Sequence, residues 1–566
     1  MIAYRELRQV EIDTFVKLQA ARKRSTERLL AATFAQRLDV DAMYGIEIED
    51  FPCRVAETAL YIMDHMMNNV AESQIGPNFR RLPLSKAPHI TKGNALRLDW
   101  KTVVPADRLT AIVGNPPFLG KKMRGKKGDA RSMEQAEDMA IVFGNWDGHA
   151  ELDYVAGWYA KALAYAKGTT VPVVFVSTNS LTQGEQVSIL WPRLVQQGVH
   201  IHFAHRTFRW TNEAPGKAAV HCVIIGWSLS EPRQCLLFDY ETPKSDPLVR
   251  EVKRINPYLV EYDDVFVFSR RKPLCDVPPI RFGNMANDDG NLLLSDAERK
   301  ILVAAEPRVR RLIRRFYGSD EFINRIDRWC LWLADVPPAD LRGLPEVMRR
   351  INAVRAYRQR SPRATTRALA NKASLFGEIR QHDGNVIVVP RHSSELRRFV
   401  PMAFVNDGSI IGDACTFIAT DNLFVFGILQ STMHMAWVRN VGGRIKSDFR
   451  YSNEIVYNNY PWPQSPTDRQ RQAVRTAAQA VLDARAEHKD QTLADLYDPD
   501  VMPPSLQRAH NGLDKAVDAC YGQRSFDADL ARARFLFERY AELIDSGQMT
   551  LNSPEPAKPK RGPKLN

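Results

Sequence analysis

Nowhere in the 566 residues does an apolar run approach the roughly 18 residues that a helical membrane span needs. Met1–Arg8 also lacks the basic-then-apolar order of a secretory signal, so a non-membrane protein of the cytoplasm is the expectation. Cysteine is scarce. The seven residues (Cys53, Cys222, Cys235, Cys275, Cys330, Cys415, Cys520) are odd in number, scattered and without a Cys-x-x-Cys pair, which excludes a disulfide framework and points to reduced, mostly buried thiols. The twelve histidines form neither a His-Glu-x-x-His pattern nor a cluster with cysteine at ligand spacing, so no metal site is expected. No internal repeat is found. What is present is ordinary globular composition, 44% apolar, 9% aromatic and 25% charged, which excludes a mainly disordered or fibrous chain. The length calls for two to four domains, and 78 Lys+Arg against 66 Asp+Glu leave a formal charge of +12, a modest pointer to a polyanionic partner.

From Asp41 to Trp227, short β-branched runs alternate with longer helical patterns, the signature of βα units around a mostly parallel sheet. Candidate strands are Met43–Ile48, Ala95–Leu98, Leu109–Val113, Val171–Ser177, His200–His205 and Ala218–Trp227. Between the first two, Val55, Ala59, Ile62, Met63 and Met66 recur at helical spacing and are expected to face the core. Residues 231–334 read as a connector. Residues 335–465, with the basic helix Arg349–Arg363 and the run Asn385–Pro390, read as a separate α+β module. Asp468–His488 and Leu530–Ile544 are helical patterns, so 466–552 should be a helical subdomain, followed by a basic, proline-rich tail over 553–566 that composition marks as disordered.

The most informative residues are Asn115-Pro116-Pro117-Phe118, directly after the strand Leu109–Val113. In an open α/β sheet, functional loops lie outside the carboxyl ends of strands, and two prolines fix the backbone so that carbonyls point outward. Such a loop suits an exocyclic amine. The lone pair of adenine N6 is delocalised into its ring, so the nitrogen is a poor nucleophile with two N–H donors. The Asn115 side-chain oxygen and the Pro116 carbonyl can accept both, pushing electron density onto nitrogen from rigid, preorganised acceptors. Phe118 would stack on a base taken out of the duplex. The bland alternative is a proline turn with a buried Phe.

These residues resemble the catalytic motif of amino-group DNA methyltransferases, and the likeness extends along the chain. Tyr44-Gly45-Ile46-Glu47-Ile48 is similar to the second strand of that fold, whose acid, here Glu47, holds the ribose hydroxyls of S-adenosylmethionine. Asn94-Ala95-Leu96-Arg97-Leu98-Asp99-Trp100 looks like the third strand, with Asp99 accepting from the cofactor's adenine amine and Trp100 packing on its ring. Val174–Gln186 and Phe203–His221 resemble the segments that shape the target-base pocket. Phe208 and Trp210 would stack on the flipped base or would serve as core aromatics of a β-hairpin; the residues alone leave both open. The order of motifs is that of the gamma class of adenine-N6 enzymes, and the closer likeness is to its MmeI-like branch of restriction–modification enzymes.

The resemblance implies a Rossmann-like class I methyltransferase sheet over 1–230, α/β in class, a target-recognition domain over 335–465 and the helical end. Double-stranded DNA is the implied partner. His434–Arg450 and Tyr457–Pro463 look like the recognition domain, where Trp437, Arg439, Arg444, Lys446 and Arg450 interleave aromatic and basic groups, as a groove reader or an ordinary solvated face would. Lys121, Lys122 and Arg124, just after the catalytic loop, are phosphate contacts or a plain surface loop. The family's Gly-rich turn after the first strand is not found, and Met1–Arg8 resembles the helix that follows it. The expectation is a sheet incomplete at its N-terminus, weak cofactor binding alone, and an upstream segment or a nuclease as a further partner. Cytosine-N4 methylation and a non-catalytic DNA-binding remnant are the rival readings.

Overall fold

Among the described residues, two short parallel strands near the N-terminus pair only with each other. The computed structural model describes residues 1–22, 37–75, 86–120, 125, 129–210, 220–242, 245–445, 447–523 and 525–545. The chain divides into two compact units, one of residues 1–177, 193–202 and 224–232, the other of 178–192, 203–223 and 233–566. The tail read as disordered lies outside the described residues.

In the first unit, α1 (Ile2–Arg22) leads to β1 (Tyr44–Glu47), α2 (Asp50–Ile75) and β2 (His89–Lys92). β1 and β2 are parallel, Tyr44 opposite His89 and Glu47 opposite Lys92, and form a two-stranded sheet of their own. β3 (Ile112–Gly114) instead pairs in parallel with β4 (Val173–Thr178), Gly114 opposite Phe175. Among the described residues neither β1 nor β2 pairs with β3, so the parallel sheet is in two pieces. β3 and β4 belong to a six-stranded sheet in the order β3-β4-β6-β5-β7-β8, where β5 is His200–Trp210, β6 Val220–Ser228, β7 Cys235–Asp239 and β8 Leu248–Val252, the last two strands and most of β5 falling in the second unit. α3 (Ala130–Phe143), α4 (Ala156–Ala166) and α5 (Glu185–Gln196) are its intervening helices.

Two sequence expectations change here. The third strand is His89–Lys92, not Ala95–Leu98. The Asn94 side chain accepts from the Leu96 amide at 2.9 Å and the Asn94 carbonyl from Leu98 at 2.9 Å, so local hydrogen bonds turn this stretch into a bend before it can join a ladder. The stripe expected to be core on α2 is largely outside it: Val55, Ile62 and Met66 are 49%, 56% and 53% exposed. The buried face is Cys53, Leu60, Asp64, Met67 and Ala71. It is chosen by α1, whose Tyr4 and Ile12 pack on Leu60 and on Met67 and Ala71 respectively, and whose Tyr4 hydroxyl donates to Asp64 at 2.6 Å.

The second unit is built from small mixed sheets and helices. Residues 231–334, read as a connector, supply Leu293–Ser295, Ile313–Tyr317 and Arg328–Leu331 to one four-stranded sheet and Ile280–Phe282 to another. The core of the first lies between that sheet and the helix Pro345–Arg360, from which buried Arg358 donates to the carbonyls of Ala286, Asn287, Leu369, Lys372 and Leu375. The helices Asp468–Ala486, Pro504–Cys520 and Asp529–Leu543 form the helical end that the sequence predicts. Six of the seven cysteines are buried, Cys275 is half-buried, and all are free thiols. Among the described residues no helix is long and apolar enough to cross a membrane, and no group of His, Cys, Asp and Glu is placed to hold a metal ion.

Candidate active site

The site in the first unit grows from the end of β3. Gly114 closes that strand against β4, where an added Cβ would stand 3.1 Å from the buried Phe175 ring and crowd it. The next four residues leave regular structure: Asn115 and Pro117 are exposed, Pro116 is buried and Phe118 half-buried. The loop is therefore anchored by one proline while the Asn115 amide faces outward. Its far end is held by the backbone, the Leu119 carbonyl accepting from the Tyr154 amide at 3.0 Å.

The Tyr154 hydroxyl donates at 2.6 Å to Asp138, a carboxylate on α3 that is only 1% exposed. The same carboxylate accepts from Asn94 Nδ2 at 3.0 Å and from Arg97 Nε at 2.5 Å. Burial pushes the Asp138 carboxyl up, but the hydrogen bonds from Tyr154, Asn94 and Arg97 outweigh it and hold it below its ordinary value. Burial and the same carboxylate push the Tyr154 phenol up. Neither residue is singled out by the sequence reading; the only hint is a Tyr in an apolar helix approach, which is a common pattern.

Of the acidic residues expected at the cofactor, one lies at a strand end and the other at a turn. Glu47 closes β1, and its Oε1 accepts from the amides of Ile48 at 2.8 Å and Glu49 at 3.3 Å. Asp99 is exposed and caps the turn Trp100–Thr102 through the Lys101 amide at 3.1 Å. Burial lowers the Lys161 ammonium of α4, opposed by the nearby charge of Asp99. Trp100 is a correction. It is 8% exposed, its indole N–H donates to Ala95 at 2.8 Å and its ring meets Tyr165 edge-on, so it braces the turn from inside and offers no open face to a cofactor ring.

The second unit holds the other predicted residues. Phe208 lies on β5 and stacks on Tyr240 with centroids 5.6 Å apart, beside a His205 ring stacked on Phe238 at 4.0 Å. Trp210 ends β5, its side chain outside the described part, as are Lys121, Lys122, Arg124 and Lys446. Arg450 is exposed at the end of the strand Asp448–Arg450. Three of the expected DNA contacts are engaged within the protein. Trp437 is fully buried, donates to the Val456 carbonyl at 3.0 Å and packs against Phe537 and Tyr540. The Arg439 guanidinium is held by Asp529 and the Arg398 carbonyl. Arg444 is 13% exposed, lies 4.3 Å over the Phe449 ring, and donates to the Ser447 carbonyl at 2.8 Å and to Gln183 at 3.2 Å. Helix and hairpin turn these groups inward because the helix Thr432–Val441 is covered on nearly every side.

Comparison with known proteins agrees with this arrangement. Residues 1–239 match the family described as the MmeI DNA-methyltransferase domain, 261–464 the MmeI target recognition domain and 466–546 the MmeI C-terminal domain. The chain is 37% identical over 549 residues to DNA methyltransferase A of Bacillus subtilis (strain 168), covering 96% of this chain and 60% of that relative's length. It also resembles the solved Type IIL restriction-modification enzyme MmeI in complex with DNA, with a TM-score of 0.83 and 42% identity over 96% of this chain and 71% of that one. Segments matching the methyltransferase, target recognition and C-terminal domains of MmeI therefore follow one another in a single polypeptide, and the chain belongs to the MmeI family.

Proposed function

We propose that this chain is a site-specific DNA methyltransferase that uses S-adenosylmethionine to methylate N6 of an adenine flipped out of duplex DNA. The observation that supports it is the proline loop after β3, with Asn115 exposed next to the buried Pro116 and the loop's far end, Leu119, held by Tyr154. The cofactor fits in part. Glu47 at the end of β1 and Asp99 at the cap of a turn are acceptor-only groups, suited to ribose hydroxyls and a ring amine, whereas Trp100 is buried. When bound, S-adenosylmethionine supplies an electrophilic methyl group.

The chain's own residues do the rest. The Asn115 side-chain oxygen and the Pro116 carbonyl accept the two N6 hydrogens, favouring a nitrogen lone pair localised towards its target. Phe118 supports a face of the extruded base, and Phe208 and Trp210 are further proposed target-base contacts. Holding the amine in line removes much of the entropic part of the barrier. Duplex DNA is the proposed partner, with Lys121, Lys122, Arg124, Lys446 and the exposed Arg450 as phosphate or base contacts.

A second reading is favoured by one observation. The parallel sheet is in two pieces, with β1 and β3 unjoined, which supports a chain that recognises DNA and transfers methyl groups only when the sheet is completed by a further segment. Labelled S-adenosylmethionine with duplex DNA separates these readings, with the modified base identified by mass spectrometry. N6-methyladenine lost in Asn115→Ala supports the first. N4-methylcytosine, or near-normal turnover by that variant, refutes it.

A further inference from the structure

Three candidates stand outside the site as described: a cavity of the C-terminal helices walled by Trp462, Tyr521 and Arg539, the buried His434 with an unpartnered Nδ1, and the carboxylate of Asp138. The first two lack any group aimed at a ligand. The third is connected to both halves of the chemistry.

We propose that Asp138 is a positioning residue that fastens the cofactor turn and the catalytic loop to one buried carboxylate, so that neither moves without the other. This rests on the methyl-transfer reading. The cofactor arm runs from Asp138 through Asn94, 3.0 Å away, whose own Oδ1 takes the Leu96 amide at 2.9 Å and so shapes the bend that ends in Asp99. Arg97, on the same bend, donates to the other Asp138 oxygen at 2.5 Å. The catalytic arm runs through Tyr154, whose hydroxyl is 2.6 Å from Asp138 and whose amide holds the Leu119 carbonyl at 3.0 Å, four residues after Asn115. α4 starts immediately afterwards and closes on the bend, since a Cβ on Gly157 would stand 3.1 Å from Leu96.

A buried carboxylate with three donors from two separate stretches of chain has one low-energy arrangement, because each lost partner weakens the compensation of a buried charge. Asp138 therefore fixes the separation of the carboxylate at Asp99 from the amide of Asn115 through short, stiff links. No part of it touches cofactor or base in this scheme. Arg97 reaches out from the same bend to Glu137 at 3.0 Å, so the bracket has a solvent-side brace as well.

The test compares Asp138→Asn and Tyr154→Phe with the unaltered full chain. By hydrogen exchange, Asp138→Asn is expected to speed exchange of the Leu96 and Tyr154 amides together by about tenfold, leaving β4 amides unchanged. Tyr154→Phe is expected to release the Tyr154 amide and spare Leu96. In methyl transfer, Asp138→Asn should raise KM for S-adenosylmethionine and lower kcat, each by about tenfold, while Tyr154→Phe lowers kcat alone. Unchanged protection, a change at only one of the two amides in Asp138→Asn, or loss of protection spread equally over β4 overturns the proposal. So do unchanged constants in a chain that methylates. If the unaltered chain transfers no methyl group, it is the methyl-transfer reading that fails, and the exchange data decide the bracket by themselves.

Discussion

Arg444 distinguishes a DNA-reading surface from a structural one. Replacing it by Met keeps most of the stem and removes the guanidinium, which donates to Ser447 and Gln183, lies 4.3 Å over Phe449 and stands 3.8 Å from Glu395. A hydrogen bond from a charged donor contributes about 1.5–3 kcal/mol. The cation–aromatic contact adds about 1 kcal/mol, and the long ion pair little. The apolar burial regained by Met offsets part of this, leaving a net loss of about 2–3 kcal/mol. Burial lowers the guanidinium to a value of about 10, a sign that the protein and not solvent surrounds it. Urea unfolding followed by tryptophan fluorescence should show a lower midpoint at unchanged m-value. DNA binding measured across salt concentrations should keep its slope, whereas a lost phosphate contact would reduce that slope by about 0.9. A shallower salt slope with unaltered stability would refute the structural assignment.

Trp437→Ala should destabilise the second unit by about 3–5 kcal/mol, because it empties a fully buried site among Phe537, Tyr540 and Tyr460; calorimetry checks it, and a loss below 1 kcal/mol would contradict the packing. Gly114→Ala should cost about 1–3 kcal/mol and reduce methyl transfer, since its methyl group meets the buried Phe175 at 3.1 Å beside the catalytic loop. His434 is buried beside Tyr451 and Tyr460, and burial lowers it from 6.5 to about 3. The unfolded imidazole therefore binds a proton that the folded one refuses, so stability falls as pH drops from 6.5 towards about 3, by about 1.4 kcal/mol per unit at most. Acid titration of His434→Gln against the unaltered chain should show a shallower decline over that window.

Much of the functional reading is legible in residue order. Asn115–Phe118 follows a strand because a β-branched run ends in glycine and two prolines cannot continue a ladder, a local rule that tertiary contacts do not alter. Glu47 at the end of β1 and the three C-terminal helices are local in the same sense. The direction of a side chain is not. Val55, Ile62 and Met66 make as convincing an apolar stripe as Leu60, Met67 and Ala71, and only the arrival of Tyr4 and Ile12 from α1 decides which is covered. Trp437, Arg439 and Arg444 have the composition of a groove reader, yet Phe537, Asp529 and Phe449, brought in from elsewhere in the chain, absorb them.

Asp138 shows the same divide at the site itself. Its three partners lie 44, 41 and 16 residues away, and no spacing rule joins them. The amino-acid sequence by itself determined the strand-end Glu47, the proline loop and the family to which the chain belongs, because these depend on neighbouring residues and backbone chemistry. The tertiary structure alone decided that, among the described residues, β1 and β2 do not join the sheet of β3, that Trp100 and Trp437 are internal, and that one buried carboxylate ties the bend before Asp99 to Tyr154. Those outcomes depend on which distant surfaces meet, and burial and charge pairing are settled only when they do.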